Sequence, residues 1–399
     1  MKTREWFSTT LGKVTGIYDG PHATPAKTQD GPWYLSISSL VDGRLDLSQS
    51  AHISEEDFKI WTKRVKPEAG DVVFSYETRL GEAALMPDGL RCALGRRMGL
   101  LRPDRSRIDP QFLAYAYLGP EFQHAICIRI SHGSTVNRIL LTEMGDFPIR
   151  LPPLSEQRKI AQILGTWDEA ITLIERRIEA ARQRKKGLMQ RLLTGRVRFP
   201  QFAGRKWQEV QLGNLAEVKR GASPRPIRDP KWFAESGRGW IRIADVTDSP
   251  TRFLNKTSQY LSPLGESKSV KVEIGELIMS ICATIGVPKI VNIPACIHDG
   301  FVVFRGYGKH LHREFLYHYL NFITERLANR GQPGTQKNLN STLVRKIRVP
   351  KPPLAEQERI AAVLQSCDRE IELLTQKRDA LQRQKKGLVQ RLLTGRVQV

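Results

Sequence analysis

Lys185-Lys186-Gly187-Leu188-Met189-Gln190-Arg191-Leu192-Leu193-Thr194-Gly195-Arg196-Val197 returns, 200 residues later, as Lys385-Lys386-Gly387-Leu388-Val389-Gln390-Arg391-Leu392-Leu393-Thr394-Gly395-Arg396-Val397. Upstream, Pro153-Leu154-Ser155-Glu156-Gln157 returns as Pro353-Leu354-Ala355-Glu356-Gln357 at the same offset. From Pro153 to Val197, 23 of 45 positions are identical to their counterparts, with no gap. Self-similarity at a fixed period marks a duplicated structural unit.

Each repeated segment reads as a long helix. Proline and acids at its start are helix-opening signals. Apolar residues then follow a four-three rhythm: Ile160, Leu164, Trp167, Ile171, Ile174, Ile178, Ala181, Lys185, Leu188 and Leu192. The second copy gives Ile360, Leu364, Cys367, Ile371, Leu374, Arg378, Leu381, Lys385, Leu388 and Leu392. A heptad of this length is a coiled-coil signal, and Gly195 and Gly395 suit helix stops. Ile160 to Leu192 would span about 48 Å at 1.5 Å per residue. Acids (Asp168, Glu169, Glu175; Asp368, Glu370, Glu372) sit in the N-terminal halves, and bases crowd both C-terminal ends. An antiparallel pair sets each basic end beside the partner's acidic half, while the same polarity suits each helix dipole. Lys185 and Lys385, at seam positions, would fix the register.

The flanking segments repeat more faintly. Trp6 and Leu11-Gly12 match Trp207 and Leu212-Gly213; Tyr115-Ala116-Tyr117-Leu118 matches Tyr317-His318-Tyr319-Leu320. Runs such as Asp71–Ser75, Leu277–Cys282 and Phe301–Phe304 read as strands, and Tyr115–Leu118 and Phe315–Leu327 as helical. The chain is therefore expected to be α+β, with two mixed α/β units separated by two long antiparallel coiled-coil helices and an internal pseudo-two-fold repeat. The expected boundaries are 1–150, 151–198, 199–350 and 351–399.

Lys and Arg total 63 against 41 Asp and Glu, a net charge of +22 over 399 residues. That excess points to a polyanionic partner, nucleic acid first. No run is long enough for a membrane span, no basic amphipathic helix with aromatic anchors suggests a membrane surface, and the N-terminus has no apolar run of a signal peptide. Five scattered cysteines without a CxxC fit a reducing cytoplasm. Polar, glycine-bearing loops carry the candidate DNA contacts: Arg96 and Arg97; Ser134, Thr135, Asn137 and Arg138; Lys219, Arg220, Arg225 and Arg228; Thr335, Gln336, Lys337 and Asn338. Arg102 to Arg107 add charge. Arg, Lys, Asn and Gln read base edges, and hydroxyls and glycine amides suit phosphates.

Catalytic signatures do not assemble. Phe304-Arg305-Gly306-Tyr307-Gly308 has the glycines of a methyl-donor loop, but no Asn/Asp-Pro-Pro-aromatic loop follows it; a strand-to-helix turn is the expected role. No clustered carboxylates, no GxxxxGK[ST] and no metal-ligand spacing around His310-x-His312 or Cys296-x-His298 are legible. Two other readings stay open: a methyltransferase whose recognition half this is, and a protein-only coiled-coil adaptor.

The duplicated Pro-Pro-Leu-x-Glu-Gln-x-x-Ile-Ala and Lys-Lys-Gly-Leu-x-Gln-x-Leu-Leu-Thr-Gly-Arg-Val motifs, with Trp207, Leu212-Gly213 and Gly221-Ala222-Ser223-Pro224, resemble the specificity (S) subunit of type I restriction-modification systems. The resemblance covers the whole chain. It implies a non-catalytic subunit whose two target recognition domains read the halves of a bipartite asymmetric DNA target. It also implies helices that set the spacing and dock two methyltransferase (M) subunits, with restriction/translocase (R) subunits joining them. S-adenosylmethionine, ATP and magnesium would belong to those partners.

Overall fold

The helix starts explain how the two halves of the sequence fold. A computed structural model of the chain describes residues 6–130, 137–328 and 339–399. Its long helices run Leu154–Leu192 and Leu354–Leu392. Each ends just before a glycine at φ +70°, Gly195 or Gly395. An L side chain would be strained there, and a Cβ would also press on Trp207 or Trp6 at 3.2–3.3 Å. The glycines thus stop the helices and seat a tryptophan.

The chain divides into two units, one of Met1–Glu175 with Gln376–Val399 and one of Arg176–Thr375. Each unit therefore holds the N-terminal part of one long helix and the C-terminal part of the other. In the first unit Ile160, Ala161 and Leu164 share a core with Leu392 and Leu393, so the segments run antiparallel there. In the second, Ile360, Ala361 and Leu364 share a core with Leu192 and Leu193.

The core of the first unit is built on a sheet ordered Thr15–Asp19, Met98–Pro103, Val72–Ser75 and Ala83–Leu85. The second repeats that order as Glu217–Arg220, Phe301–Arg305, Leu277–Ser280 and Pro288–Val291, then adds Phe253–Leu254 at the edge. Alternation along the central strands explains their all-apolar composition. Val72 and Phe74 face the core shared with the long helices, while Val73 faces a second core. Leu277 and Met279 likewise face one core and Ile278 the other. A strand buried on both faces needs apolar residues at both parities.

A second sheet in each unit contains a parallel pair, Thr28–Tyr34 with Cys92–Ala93 and Arg238–Ile241 with Ala295–Ile297. Trp33 lies opposite Cys92, and Trp240 opposite Cys296. Trp33 and Trp240 thus hold equivalent places in the two units.

The motif glutamines join each long helix to its unit. Gln157 is 1% exposed. Its Oε1 accepts the Asp109 N–H at 2.9 Å, and its Nε2 donates to the Arg107 and Pro152 carbonyls. Gln357, also buried, accepts the His312 N–H at 2.8 Å and donates to the His310 and Pro352 carbonyls. A buried amide is tolerated because its donors and acceptor are satisfied. These bonds fix the helices Pro110–Leu118 and Arg313–Ala328 against the long-helix starts.

The expected seam is uneven. Ile160, Leu164, Ile171, Ile174, Ile178 and Leu192 are buried, as are Ile360, Leu364 and Leu392. Trp167, Leu188, Ile371, Leu374, Leu381 and Leu388 are only half-buried. The buried ends belong to the cores of the units as much as to a helix pair: Ile160 and Leu164 pack with Leu11 and Phe112, and Leu192 and Ile360 with Leu212 and Phe315. Heptad periodicity identifies an apolar stripe but not which neighbour covers it.

Candidate nucleic-acid interface

A backbone frame at one end of the central sheet recurs in both units. Gly20 N–H donates to Met98 O, as Gly221 N–H does to Phe301 O. Tyr76 N–H donates to Arg97 O and Ile281 N–H to Gly300 O. Ile139 N–H reaches Tyr76 O, and Leu339 N–H reaches Ile281 O, both at 2.9 Å. Close approach demands glycine at the frame's first position. A Cβ on Gly221 would lie 2.2 Å from His298 O, and one on Gly20 would lie 2.9 Å from Gly95 O.

Several of the predicted basic residues lie at this frame. In the first unit Arg97, at φ +71°, places its Nε 3.0 Å from Glu77. Asn137 O accepts the Thr78 N–H at 3.1 Å, and Arg138 forms a β-bridge with Glu77. Arg96 is exposed. Ser134 and Thr135 lie outside the described residues, as do Thr335, Gln336, Lys337 and Asn338.

In the second unit the frame is organised by Asp299, which sequence reading passed over. Arg225 Nη2 donates to Asp299 Oδ2 at 2.9 Å, and Ser223 Oγ to Oδ1 at 2.8 Å. Arg220 Nε donates to the Asp299 carbonyl at 2.8 Å, and His298 Nε2 lies 3.0 Å from Oδ1. Partial burial opposes ionisation, but the Ser223 hydroxyl, His298 and the arginines outweigh it and hold this carboxyl below its usual range. Lys219 and Arg228 are exposed. No motif surrounds Asp299, and only the tertiary approach of residues 220–225 to residue 299 reveals it.

Other charged residues are structural. Arg102 makes a forked pair with the buried Asp71 at 2.7 and 3.0 Å, and Arg105 and Arg107 donate to the Ala69 and Lys13 carbonyls. The charge of Arg102 is thus paired within the fold, whereas Arg105 and Arg107 bond only to carbonyls and stay exposed.

The seam lysines meet acids of the opposite helix. Lys385 Nζ donates to both Asp168 oxygens at 2.7 Å in the first unit. In the second, Lys185 Nζ donates to Asp368 at 2.5 Å. Each acid also faces its globular domain. Tyr115 Oη donates to Asp168 at 2.7 Å and Arg44 Nη2 approaches it at 3.4 Å; Arg252 stands 3.8 Å from Asp368. Burial first, then Asp168, pushes the Tyr115 hydroxyl above its ordinary value.

Among the described residues, no three His, Cys, Asp or Glu side chains group to hold a metal ion, and no helix is long and apolar enough to cross a membrane. The Phe304–Gly308 segment leaves the strand Phe301–Arg305 and turns at Gly306, φ +69°, toward the helix beginning at Arg313.

Fold and frame together define a duplicated scaffold. The comparisons agree with it: residues 22–183 and 204–383 match the type I restriction modification DNA specificity domain. The chain is 26% identical to the putative type I restriction enzyme MjaX specificity subunit of Methanocaldococcus jannaschii, over 96% of this chain and 91% of that one. The MjaVIII specificity subunit of the same organism is 24% identical over 92% and 86%. In fold it is similar to the S subunit of a type I restriction-modification system from M. genitalium, with TM-score 0.62, 16% identity and coverage of 98% and 97%. A chain from another solved type I R-M system gives TM-score 0.60 and 21% identity, covering 97% of each. The chain belongs to the type I restriction-modification DNA specificity family. It is a specificity subunit, a non-catalytic component that supplies DNA target specificity to a restriction-modification system.

Proposed function

We propose that residues 1–150 and 199–350 are two target recognition domains that read the two halves of a bipartite, asymmetric duplex target. The long helices set the gap between the halves and dock two methyltransferase subunits, to which restriction/translocase subunits add. The chain works in the cytoplasm and itself holds no cofactor. S-adenosylmethionine, ATP and magnesium act in the partners, which methylate adenine or cut.

One observation carries this reading: the same backbone frame bears different side chains in the two units, Arg96 and Arg97 in one and Asp299 and Gly300 in the other. A shared frame gives a common docking geometry, and divergent side chains give different base preferences. At 3.4 Å per step, about 48 Å of helix corresponds to roughly 14 base pairs. Leu173 and Leu373, at equivalent positions on the two long helices, are 54% and 59% exposed. A repeated exposed leucine suits two copies of one partner.

The test is a map of methylated adenines in the host genome with and without this gene. The reading expects loss of one motif made of two short halves around a fixed gap. An unchanged map from a host with active partner subunits would refute it.

A further inference from the structure

We infer that the turn 94–97 and its counterpart 297–300 carry the guanine-reading side chains of the two half-sites: Arg96 directly in the first domain, and Arg225, held by Asp299, in the second. This rests on the proposal that both domains read bases.

The frame hydrogen bonds align the two turns with an offset of 203 residues, so Arg96 and Asp299 occupy equivalent positions. In the first domain Arg97 is paired with Glu77 and Arg102 with Asp71. Arg96 differs. Its backbone N–H donates to the buried Tyr34 hydroxyl at 3.2 Å, which fixes the turn from behind. Its side chain is exposed, and its guanidinium has no partner among the described residues. An exposed arginine on a fixed turn, whose five donors meet no described residue, suits the O6 and N7 acceptors of guanine in the major groove. Pre-ordering the turn lowers the entropy lost on binding.

In the second domain an acid stands at that position, and a bare carboxylate would repel DNA. Asp299 instead accepts from Arg225, Ser223 and, through its carbonyl, Arg220, so the cluster keeps net positive charge. Arg225 uses one Nη on Asp299 and remains 70% exposed, leaving its other donors outward. Asp299 is thus a positioning residue and Arg225 the reader. One frame presents a guanidinium by two routes, from different points on its rim, which lets two similar domains demand guanine at different places in their half-sites.

The test is adenine-methylation mapping with the complete restriction-modification system carrying R96A, R225A or D299N. R96A is expected to make one guanine position of one half-site degenerate, with discrimination there falling about tenfold to a hundredfold, while the other half stays intact. R225A and D299N should relax a single shared position in the other half. Should D299N lower thermal stability, R225A, whose side chain is exposed, decides the second domain. A uniform fall in methylation with an unchanged motif would make these arginines phosphate contacts and overturn the inference, as would full retention of the motif. A wild-type map without two-part motifs would instead remove the base-reading proposal itself.

Discussion

Replacing Asp168 by alanine removes a partner from three groups at once. Lys385 Nζ, bonded to both carboxylate oxygens at 2.7 Å, loses its acidic partner, and the Tyr115 hydroxyl, 2.7 Å away, loses its acceptor and keeps only the bond from Gln111. Arg44 keeps only Glu175 at 2.9 Å. The Lys385 and Asp168 side chains are 21% and 27% exposed, between surface and interior. Removing one partner of a fully buried pair costs about 3–5 kcal/mol, and surface pairs contribute about 0–1 kcal/mol. This geometry therefore places Asp168→Ala near 2–3 kcal/mol. For a unit of this size that is a fall in Tm of roughly 4–12 °C. The double variant Asp168→Leu with Lys385→Met removes both charges and should recover most of the loss, because neither ion is left partly desolvated. Glu370→Ala is the internal control: its partner Arg184 and Glu370 itself are 54% and 45% exposed, so the change should stay within about 0.5 kcal/mol. Calorimetric unfolding of the four proteins measures these differences. A single variant no less stable than wild type, or a double variant worse than the single, would refute the view that these lysines and acids couple helix to helix.

Three further outcomes are expected. His318 is buried beside Lys185, Arg252 and Asp368, with Tyr317 packed against it; burial first, then Lys185 and Arg252, lowers its pKa to about 3 from 6.5. The unfolded state takes up the proton first as pH falls, so stability present above pH 6.5 is lost toward pH 3, by up to about 1.4 kcal/mol per pH unit. His318→Leu should flatten the urea-midpoint profile between pH 6.5 and 4.5, and an unchanged slope would count against it. Substituting Leu173 and Leu373 together by glutamate should weaken association with the methyltransferase subunit at least tenfold in titration calorimetry, with folding stability within about 0.5 kcal/mol; undiminished association would place the docking surface elsewhere. Deleting seven residues from the middle of both long helices should shorten each by about 10 Å. The mapped gap should then contract or methylation cease, and altered half-sites at an unaltered gap would contradict the ruler.

Much of the architecture was legible because it is local or repeated. Helix starts, glycine stops and the heptad are short-range patterns, and duplication made them readable from one chain. The strands Val72–Ser75 and Leu277–Ser280 announced themselves as apolar runs. Less was legible where partners are distant. Nothing near residue 299 in sequence marks it as the centre of the second frame, since Ser223 and Arg225 lie more than seventy residues away. Arg102 belongs to a basic run in sequence, and only the fold sets Asp71 against it. Leu381 and Leu388 have the heptad's period yet are only half-buried, whereas Ile160 and Leu392 are sealed by the globular cores.

The sequence by itself determined that this protein is a duplication, where its long helices begin and end, that it is strongly basic, and which family its motifs resemble. These depend on composition and on spacings within a few turns of chain. Only the tertiary structure decided which charges are spent on the fold and which remain for a partner. That choice depends on pairings between residues tens to hundreds of positions apart, and a charge's availability is fixed by the neighbour it meets in space.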